Sequence, residues 1–162
     1  GNVPRILSID PGILAHRIQS QEGVQHCQKD FTCDESIEEM INFAPFSACV
    51  CDASTDASEV FDKVTSTFQK VCDRLKDGKL LLENPSVVVV TIKCPYKTEN
   101  SLARVLEKVS NQLPGTIESM LKFFEGGKVA MNAKCTMVHL MANSDSERTV
   151  VILFQSKHSS LN

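Results

Sequence analysis

The sequence predicts an α/β sandwich with a mostly parallel sheet that ends in an antiparallel hairpin. Apolar strand-like segments alternate with amphipathic helical segments along the chain, a pattern typical of a parallel sheet covered by helices. Residues 87–93 are almost wholly apolar and β-branched, which predicts a strand buried on both faces. The last two strands are separated only by a polar turn at 143–146, so they are expected to pair antiparallel.

In the first half of the chain each predicted strand is followed by a predicted helix. Pro11 and Gly12 end the first strand, because proline cannot continue a strand's hydrogen bonding. Ser36 and Glu39 have the spacing of a capping box, which predicts that the second helix starts at Ser36. The third helix is the clearest, since its apolar residues recur at steps of three and four. The predicted order is strand 5–10, helix 13–19, strand 24–28, helix 36–42, strand 47–52 and helix 56–76.

The second half begins with the buried strand and ends with the hairpin. The strand at 87–93 precedes an amphipathic helix at 100–112, which Pro114 and Gly115 are predicted to break. A second short helix at 117–124 is expected to end at the two glycines that follow it. The hairpin strands are predicted at 133–141 and 149–155. We expect one domain over residues 1–156 and a flexible tail at 157–162.

The composition of the chain indicates which kinds of partner it can bind. The 162-residue chain has a formal charge of −3, so any RNA contact must use a local basic patch. No apolar run is long enough to cross a bilayer and no secretory leader is visible, so no membrane contact is expected. The seven cysteines include no CxxC pair, and several lie in apolar patterns. They are typical of free thiols in a reducing intracellular compartment, and no metal site is expected.

Asp52 and Lys93 are the main candidates for chemistry. Each follows a predicted buried strand, and Lys93 stands just before Pro95. In open α/β sheets the carboxyl ends of the strands form the ligand crevice. Adjacent strands would hold the two side chains within several ångströms, where a partly buried lysine beside a carboxylate and a cationic cofactor can act as a base. The alternative is a structural ion pair that covers the end of the sheet.

Asp10, Asp30 and Glu147 are weaker candidates. Asp10 ends the first strand, where a carboxylate can accept hydrogen bonds from the hydroxyls of a ribose, or can form a turn before Pro11 and Gly12. Asp30 could bond an adenine amino group or cap a loop. Glu147, predicted in the hairpin turn, could orient a lysine or a substrate hydroxyl, or could be solvated.

Other polar residues have simpler interpretations. Lys93, Lys97, Arg104 and Lys108 are candidate phosphate contacts, although Arg104 and Lys108 fit a solvated helix face better. His139 is predicted to be a strand residue whose ring is hydrogen-bonded. The chain has no P-loop, no GxGxxG stretch and no Ser/His/Asp order. A nucleotide-binding oxidoreductase is therefore disfavoured.

Five short segments follow one another along nearly the whole chain. They are Ser8-Ile9-Asp10-Pro11-Gly12, Gln28-Lys29-Asp30, Val50-Cys51-Asp52, Thr91-Ile92-Lys93-Cys94-Pro95 and Ser146-Glu147-Arg148-Thr149-Val150. Their order and spacing resemble those of FtsJ-type RNA 2′-O-ribose methyltransferases, most closely the RlmM-like branch that modifies large-subunit ribosomal RNA.

The resemblance implies a Rossmann-like methyltransferase fold and transfer of a methyl group from S-adenosylmethionine to RNA. Asp52, Lys93 and Glu147 match the last three members of the family's Lys-Asp-Lys-Glu tetrad. Lys93 would be the general base or would steer the ribose hydroxyl. Asp10 would match the ribose-binding acid and Asp30 the adenine-side acid, with Asp52 also beside the cofactor.

The front of the family pattern has no counterpart here. The glycine-rich cofactor loop, the tetrad's first lysine and the family's first strand would all precede Arg5. The chain is thus expected to be either a methyltransferase domain whose cofactor loop is supplied by residues upstream, or a non-catalytic domain that binds a protein or RNA. A missing first strand would also leave a gap in the middle of the sheet.

Overall fold

The chain has the predicted α/β class. The structure, a computed structural model, describes residues 5–76, 78–94, 99–124, 130–141 and 143–157. Within these ranges no helix is both long and apolar enough to cross a membrane. The elements in chain order are β1 (Ile6–Ile9), α1 (His16–Gln19), β2 (Val24–Cys27), α2 (Asp34–Phe43), β3 (Phe46–Cys51), α3 (Val60–Arg74), β4 (Leu82–Lys93), α4 (Glu99–Leu121), a 3-10 turn (Lys122–Phe124), β5 (Met131–Val138) and β6 (Glu147–Ser156).

The strands form two sheets, and the larger one is mixed. Its order is β3-β4-β6-β5, and β1 pairs with β2 in a separate two-stranded sheet. Two pairs are parallel, β1 with β2 and β3 with β4. Strand β6 runs antiparallel to both of its neighbours, β4 and β5. The predicted hairpin is confirmed, but the prediction of a mostly parallel sheet is wrong. The reason is that β6 returns from the hairpin and inserts beside β4, so two of the pairings are antiparallel.

The centre of the larger sheet is the core of the domain. β4 alternates buried with partly exposed residues from Ser86 onward, and Val88, Val90 and Ile92 are almost fully buried. Val150, Ile152 and Phe154 of β6 are also fully buried. Helix α3 contributes its apolar stripe, including Phe61, Val64 and Val71, to the same cluster. This burial of apolar area is the main driving force for the fold.

The two sheets leave strand edges without a strand partner in the described part of the chain. β1 is paired only with β2, and β3 only with β4. β3 is an almost continuous apolar run, yet Val50 within it is 75% exposed. A strand of this composition is typical of a sheet interior, so its position at an edge is unusual.

Several element boundaries differ from the sequence predictions. β4 begins at Leu82, because Phe46 pairs with Leu82 before a register irregularity in β3. β6 begins at Glu147, which the sequence placed in the turn. Residues 125–129, which include the predicted glycine stop, and residues 158–162 of the predicted tail lie outside the described residues. At the start of that tail, the Lys157 amide donates a hydrogen bond to the Ala130 carbonyl.

The predicted helix break at Pro114 is wrong, because α4 continues through it to Leu121. Val109, Leu113 and Met120 are buried on both sides of the proline. Their packing holds the helix together where the proline removes the hydrogen bond to the Ser110 carbonyl. Ser110 is exposed, so water can satisfy that carbonyl.

Pro114→Ala tests this continuity. Since the helix continues through position 114, alanine restores an amide donor and a favourable residue, and the free energy of unfolding should rise by about 1–3 kcal/mol. Urea unfolding followed by circular dichroism measures the change, with Gly115→Ala as a variant that changes propensity but restores no hydrogen bond. A loss of stability in Pro114→Ala would instead favour a break between two helices, since proline there would be restricting the unfolded chain.

Candidate functional site

Strand pairing brings Asp52, Lys93 and Glu147 to one end of the larger sheet. Asp52 directly follows β3, Lys93 ends β4 and Glu147 begins β6. The Lys93 Nζ lies 3.3 Å from the Asp52 Oδ1. Lys93 and Glu147 are directly opposite each other in the antiparallel pair. Opposite residues of such a pair project from the same face of a sheet, so Glu147 lies on the same face as the Asp52–Lys93 ion pair. We call these three residues the Lys93 cluster.

The ammonium group of Lys93 is held at the end of β3 by several oxygens. It donates to the Asp52 carbonyl at 3.2 Å and to the Ser54 Oγ at 3.3 Å, in addition to its ion pair with the Asp52 carboxylate. The Lys93 side chain is 30% exposed and that of Asp52 is 68% exposed. The lysine is therefore positioned but open to solvent on one side, as a group that meets a substrate must be.

Glu147 is a strand residue with a second role in shaping the hairpin turn. Its Oε2 accepts a hydrogen bond from the Ser144 amide at 2.9 Å. The ladder continues one step further, because the Cys94 amide donates to the Ser146 carbonyl. Glu147 is thus a fixed, partly buried neighbour of Lys93, and not the solvated turn residue that one interpretation of the sequence suggested.

Asp10 forms the turn that ends β1. Its Oδ1 accepts a hydrogen bond from the Gly12 amide at 2.6 Å. A Cβ at position 12 would lie 2.7 Å from that oxygen, so glycine permits this close approach. The Asp10 Oδ2 has no partner among the described residues and the side chain is exposed. One oxygen shapes the turn while the other remains available to a ligand.

Asp30 has a similar arrangement after β2. Its Oδ1 accepts hydrogen bonds from the Thr32 hydroxyl at 2.5 Å and the Thr32 amide at 2.8 Å. These bonds hold the pKa of the Asp30 carboxyl below its ordinary value, with a smaller contribution from Lys63. Asp30 is therefore a stable carboxylate at neutral pH.

The ends of β1 and β2 are tied together by His26. Its Nδ1 lies 3.2 Å from the Ser8 Oγ and its Nε2 lies 3.1 Å from the Gly12 carbonyl. The Asp10 amide also donates to the Cys27 carbonyl. These contacts bring the Asp10 turn to the end of β2, beside the loop that carries Asp30. In the described part of the chain, neither Asp10 nor Asp30 directly contacts Asp52 or Lys93.

Sequence reasoning missed two residues that contact or pair with Lys93. Ser54 accepts a hydrogen bond from its ammonium group, and Asp56 forms an isolated parallel bridge with its backbone. Hydrogen bonds from the Ser58 hydroxyl and amide lower the pKa of Asp56, and Lys108 contributes less. The polar run at 52–58, directly after an apolar strand, was the available signal.

The remaining candidates lie away from this cluster or outside the described residues. Arg104 and Lys108 line a shallow depression on α4 together with Glu107, which agrees with a solvated helix face. The His139 Nε2 lies 3.1 Å from the Ser144 carbonyl, just beyond β5. Lys97 is not among the described residues. In the described ranges no group of three or more His, Cys, Asp or Glu side chains could hold a metal ion.

The cysteines are all free thiols, in keeping with the prediction from their sequence context. Cys94 is buried, and burial raises the pKa of Cys49 to about 12 and that of Cys72 to about 11. These thiols stay protonated and behave as small apolar side chains. Their presence adds nothing to the chemistry of the Lys93 cluster.

No protein-family model and no curated protein matches this chain. The function must therefore be inferred from the residues at the strand ends.

Thr32→Val tests the environment of Asp30. It removes the hydroxyl donor, so the pKa of Asp30 should rise toward its ordinary value of 3.8. Because the lowered pKa stabilises the folded state above about pH 4 and this stabilisation is lost as the pH falls, wild type and variant should differ in stability at neutral pH and converge in acid. NMR titration of the Asp30 carboxyl carbon and urea unfolding at several pH values measure both effects.

The control is Ser58→Ala, which removes the equivalent hydroxyl from Asp56. It should raise the pKa of Asp56 and leave that of Asp30 unchanged. An Asp30 titration that is the same in Thr32→Val and wild type would show that the hydroxyl contact is not formed in solution.

Proposed function

We propose that this chain is a methyltransferase domain of FtsJ type, which transfers a methyl group from S-adenosylmethionine to a ribose 2′-hydroxyl of RNA. The observation that carries the proposal is the cluster at the carboxyl end of β4. An ammonium group there has a carboxylate at 3.3 Å from one neighbouring strand and a glutamate directly opposite on the other. These residues match three members of the family tetrad in type and in chain order.

The split between the two sheets supports the fold part of the proposal. A Rossmann-like methyltransferase whose first strand is missing would have a gap in its sheet between the strands that carry Asp10 and Asp52. β1 and β3 are those strands, and each has an edge without a strand partner among the described residues. The apolar and exposed Val50 on β3 also fits a strand that belongs in a sheet interior.

The residues present fit part of S-adenosylmethionine. The Oδ2 of Asp10 is available at the end of β1, where a carboxylate can accept hydrogen bonds from the ribose hydroxyls of the cofactor. Asp30, a stable carboxylate, can accept a bond from the adenine amino group. The methionine end requires close backbone approaches from a glycine-rich loop, which the proposal assigns to residues preceding β1. When bound, the cofactor supplies an activated methyl group on a sulfonium.

Within this proposal the chain's own residues place the RNA hydroxyl. Lys93 contacts the ribose 2′-hydroxyl. As an ammonium group it orients the hydroxyl oxygen for in-line attack, and it accepts the hydroxyl proton only after losing its own proton to become a neutral amine. Asp52 holds the ammonium group of Lys93, and Glu147 adds a carboxylate on the strand directly opposite. The exposed side of Lys93 is the face open to RNA.

A non-catalytic binding module is the second candidate. Asp10 and Asp30 each use one carboxylate oxygen to form a local turn. Such turns also occur in proteins that bind no ligand there, which favours this candidate. In this alternative the Asp52–Lys93 pair only closes the end of the sheet. Exposed apolar residues such as Ile13 and Val50 would then belong to a protein-binding surface.

Lys93→Ala is the most direct test of catalysis. In the longest natural form of the protein, methyl transfer from labelled S-adenosylmethionine to RNA should fall by about 10²–10⁴-fold, the usual contribution of a positioned acid or base. The affinity for S-adenosylmethionine should stay within a few-fold, because Lys93 acts on the hydroxyl. Lys134→Ala, an exposed lysine on β5, is the matched control and should keep wild-type activity. Full activity in Lys93→Ala would contradict the assignment.

Calorimetric titration with S-adenosylmethionine separates the two candidates. We expect stoichiometric binding by the longest natural form. Asp10→Ala should weaken it by about ten- to hundredfold, because hydrogen bonds to a charged group contribute about 1.5–3 kcal/mol. Asp73→Ala, an exposed carboxylate on α3, should leave the affinity unchanged. An absence of binding in the longest natural form would favour the non-catalytic module.

A further inference from the structure

A pair of cysteines flanks the loop that carries Asp30. Cys27 is the last residue of β2 and Cys33 is the N-cap of α2. Both are partly exposed, unlike the buried Cys94. The two sulfurs contact the same atom, since the Ser36 Oγ lies 3.7 Å from the Cys27 Sγ and 3.3 Å from the Cys33 Sγ. They are therefore separated by no more than the sum of these two distances.

Ser36 holds the two thiols at the base of the loop. Its hydroxyl donates to the Asp30 carbonyl at 2.7 Å, and a hydroxyl has only one proton to donate. Its oxygen is therefore left as an acceptor toward the two thiols. Hydrogen bonds from its own backbone amide, from Lys29 and from the Cys33 thiol lower the pKa of Glu35. The Cys33 amide also donates to the Asp30 carbonyl, so the loop is closed at Asp30 and both sulfurs face its base.

Several charged groups lie near the two thiols. Lys29 forms a 3.1 Å ion pair with Glu35. This pair raises the pKa of Lys29, and Cys33 and Cys27 add smaller contributions. The N-terminus of α2 adds partial positive charge at Cys33, which Asp34 and Glu35 oppose.

We propose that Cys27 and Cys33 form a reversible disulfide when the protein meets a peroxide, and that this bond fixes the loop carrying Asp30. The two residues are six positions apart on either side of a loop. For the bond to form, the two side chains must rotate toward each other from their shared contact with the Ser36 Oγ, with Cβ atoms about 3.5–4.5 Å apart.

The chemistry needs only the two thiols and the peroxide. The first thiolate attacks the peroxide, a sulfur–oxygen bond forms, the oxygen–oxygen bond breaks and the leaving oxygen departs as water after taking up protons. The second thiolate attacks the resulting sulfenic sulfur, a sulfur–sulfur bond forms and the sulfenic oxygen leaves as a second water. The sulfurs lose two electrons in total, and the peroxide gains them. A dithiol reductant reverses the bond.

The bond changes the hydrogen bonding of the loop. Ser36 loses both thiol donors while its bond to the Asp30 carbonyl can persist. The backbone from Gln28 to Thr32 is then part of a closed covalent ring. Amide signals of this loop should therefore shift on oxidation, whereas those of β6 on the far side of the larger sheet should not.

Peroxide oxidation followed by peptide mapping tests the proposal. Treatment of the 162-residue chain with hydrogen peroxide should remove the thiols of Cys27 and Cys33 together and link their peptides within one chain, with a mass loss of two hydrogens. Cleavage after both Lys29 and Glu35 separates the Cys33 peptide from those of Cys49 and Cys51. Dithiothreitol should restore both thiols and the original amide spectrum.

Single-cysteine variants provide the controls. Cys27→Ser and Cys33→Ser should each abolish the linked peptide, whereas Cys135→Ser, which removes an exposed thiol on β5, should leave it unchanged. Mapping of the wild-type chain does not depend on whether these variants fold or on any methyltransferase activity. Sulfinic acids at Cys27 and Cys33 without a link, or links that join only different chains, would overturn the proposal.

Discussion

The position of β4 between β3 and β6 is the constraint on which the rest of the structure depends. Parallel pairing on one side brings the end of β3 to Lys93, and antiparallel pairing on the other brings the start of β6. The register is fixed by burial, because Val90 and Ile152 are fully enclosed in the core. A slip of one residue would expose this apolar set and turn every side chain of the strand to the other face. The cluster at Lys93 is thus a consequence of core packing.

The features that the sequence predicted well are those with a local pattern. The apolar run of β4 and the stripe of α3 identify their elements directly, and the proximity of Asp52 and Lys93 follows from the rule that parallel strands end at the same edge. The features it predicted poorly depend on partners far along the chain. Pro114 lies inside a helix because the core holds both halves, and Glu147 belongs to a strand because β4 pairs with it. The contact of Ser54 with Lys93 could not be predicted, because the sequence does not give the direction of the lysine side chain.

Under the proposed function, the acidic residues at the strand ends would combine a turn-forming role and a ligand-binding role in one side chain. Asp10 and Asp30 each use one oxygen to fix a turn through a residue two positions later. The same bonds orient the carboxylate at the carboxyl end of a parallel strand pair, where ligands bind in α/β proteins. This explains why a turn and a binding site could not be separated from the sequence: the local hydrogen bonds are the same in both. The Cys27 and Cys33 thiols lie at the base of one of these turns, so the proposed disulfide would constrain the loop that carries Asp30.

The pairing of β4 with both neighbours is tested most directly by nuclear Overhauser contacts between backbone protons in solution. We expect cross-strand contacts between Cys51 and Val90 and a continuous antiparallel series from Ser86 with Phe154 to Lys93 with Glu147. A series displaced by one residue, or contacts from β4 to only one neighbouring strand, would place Asp52, Lys93 and Glu147 apart and would show that this arrangement of strands is wrong.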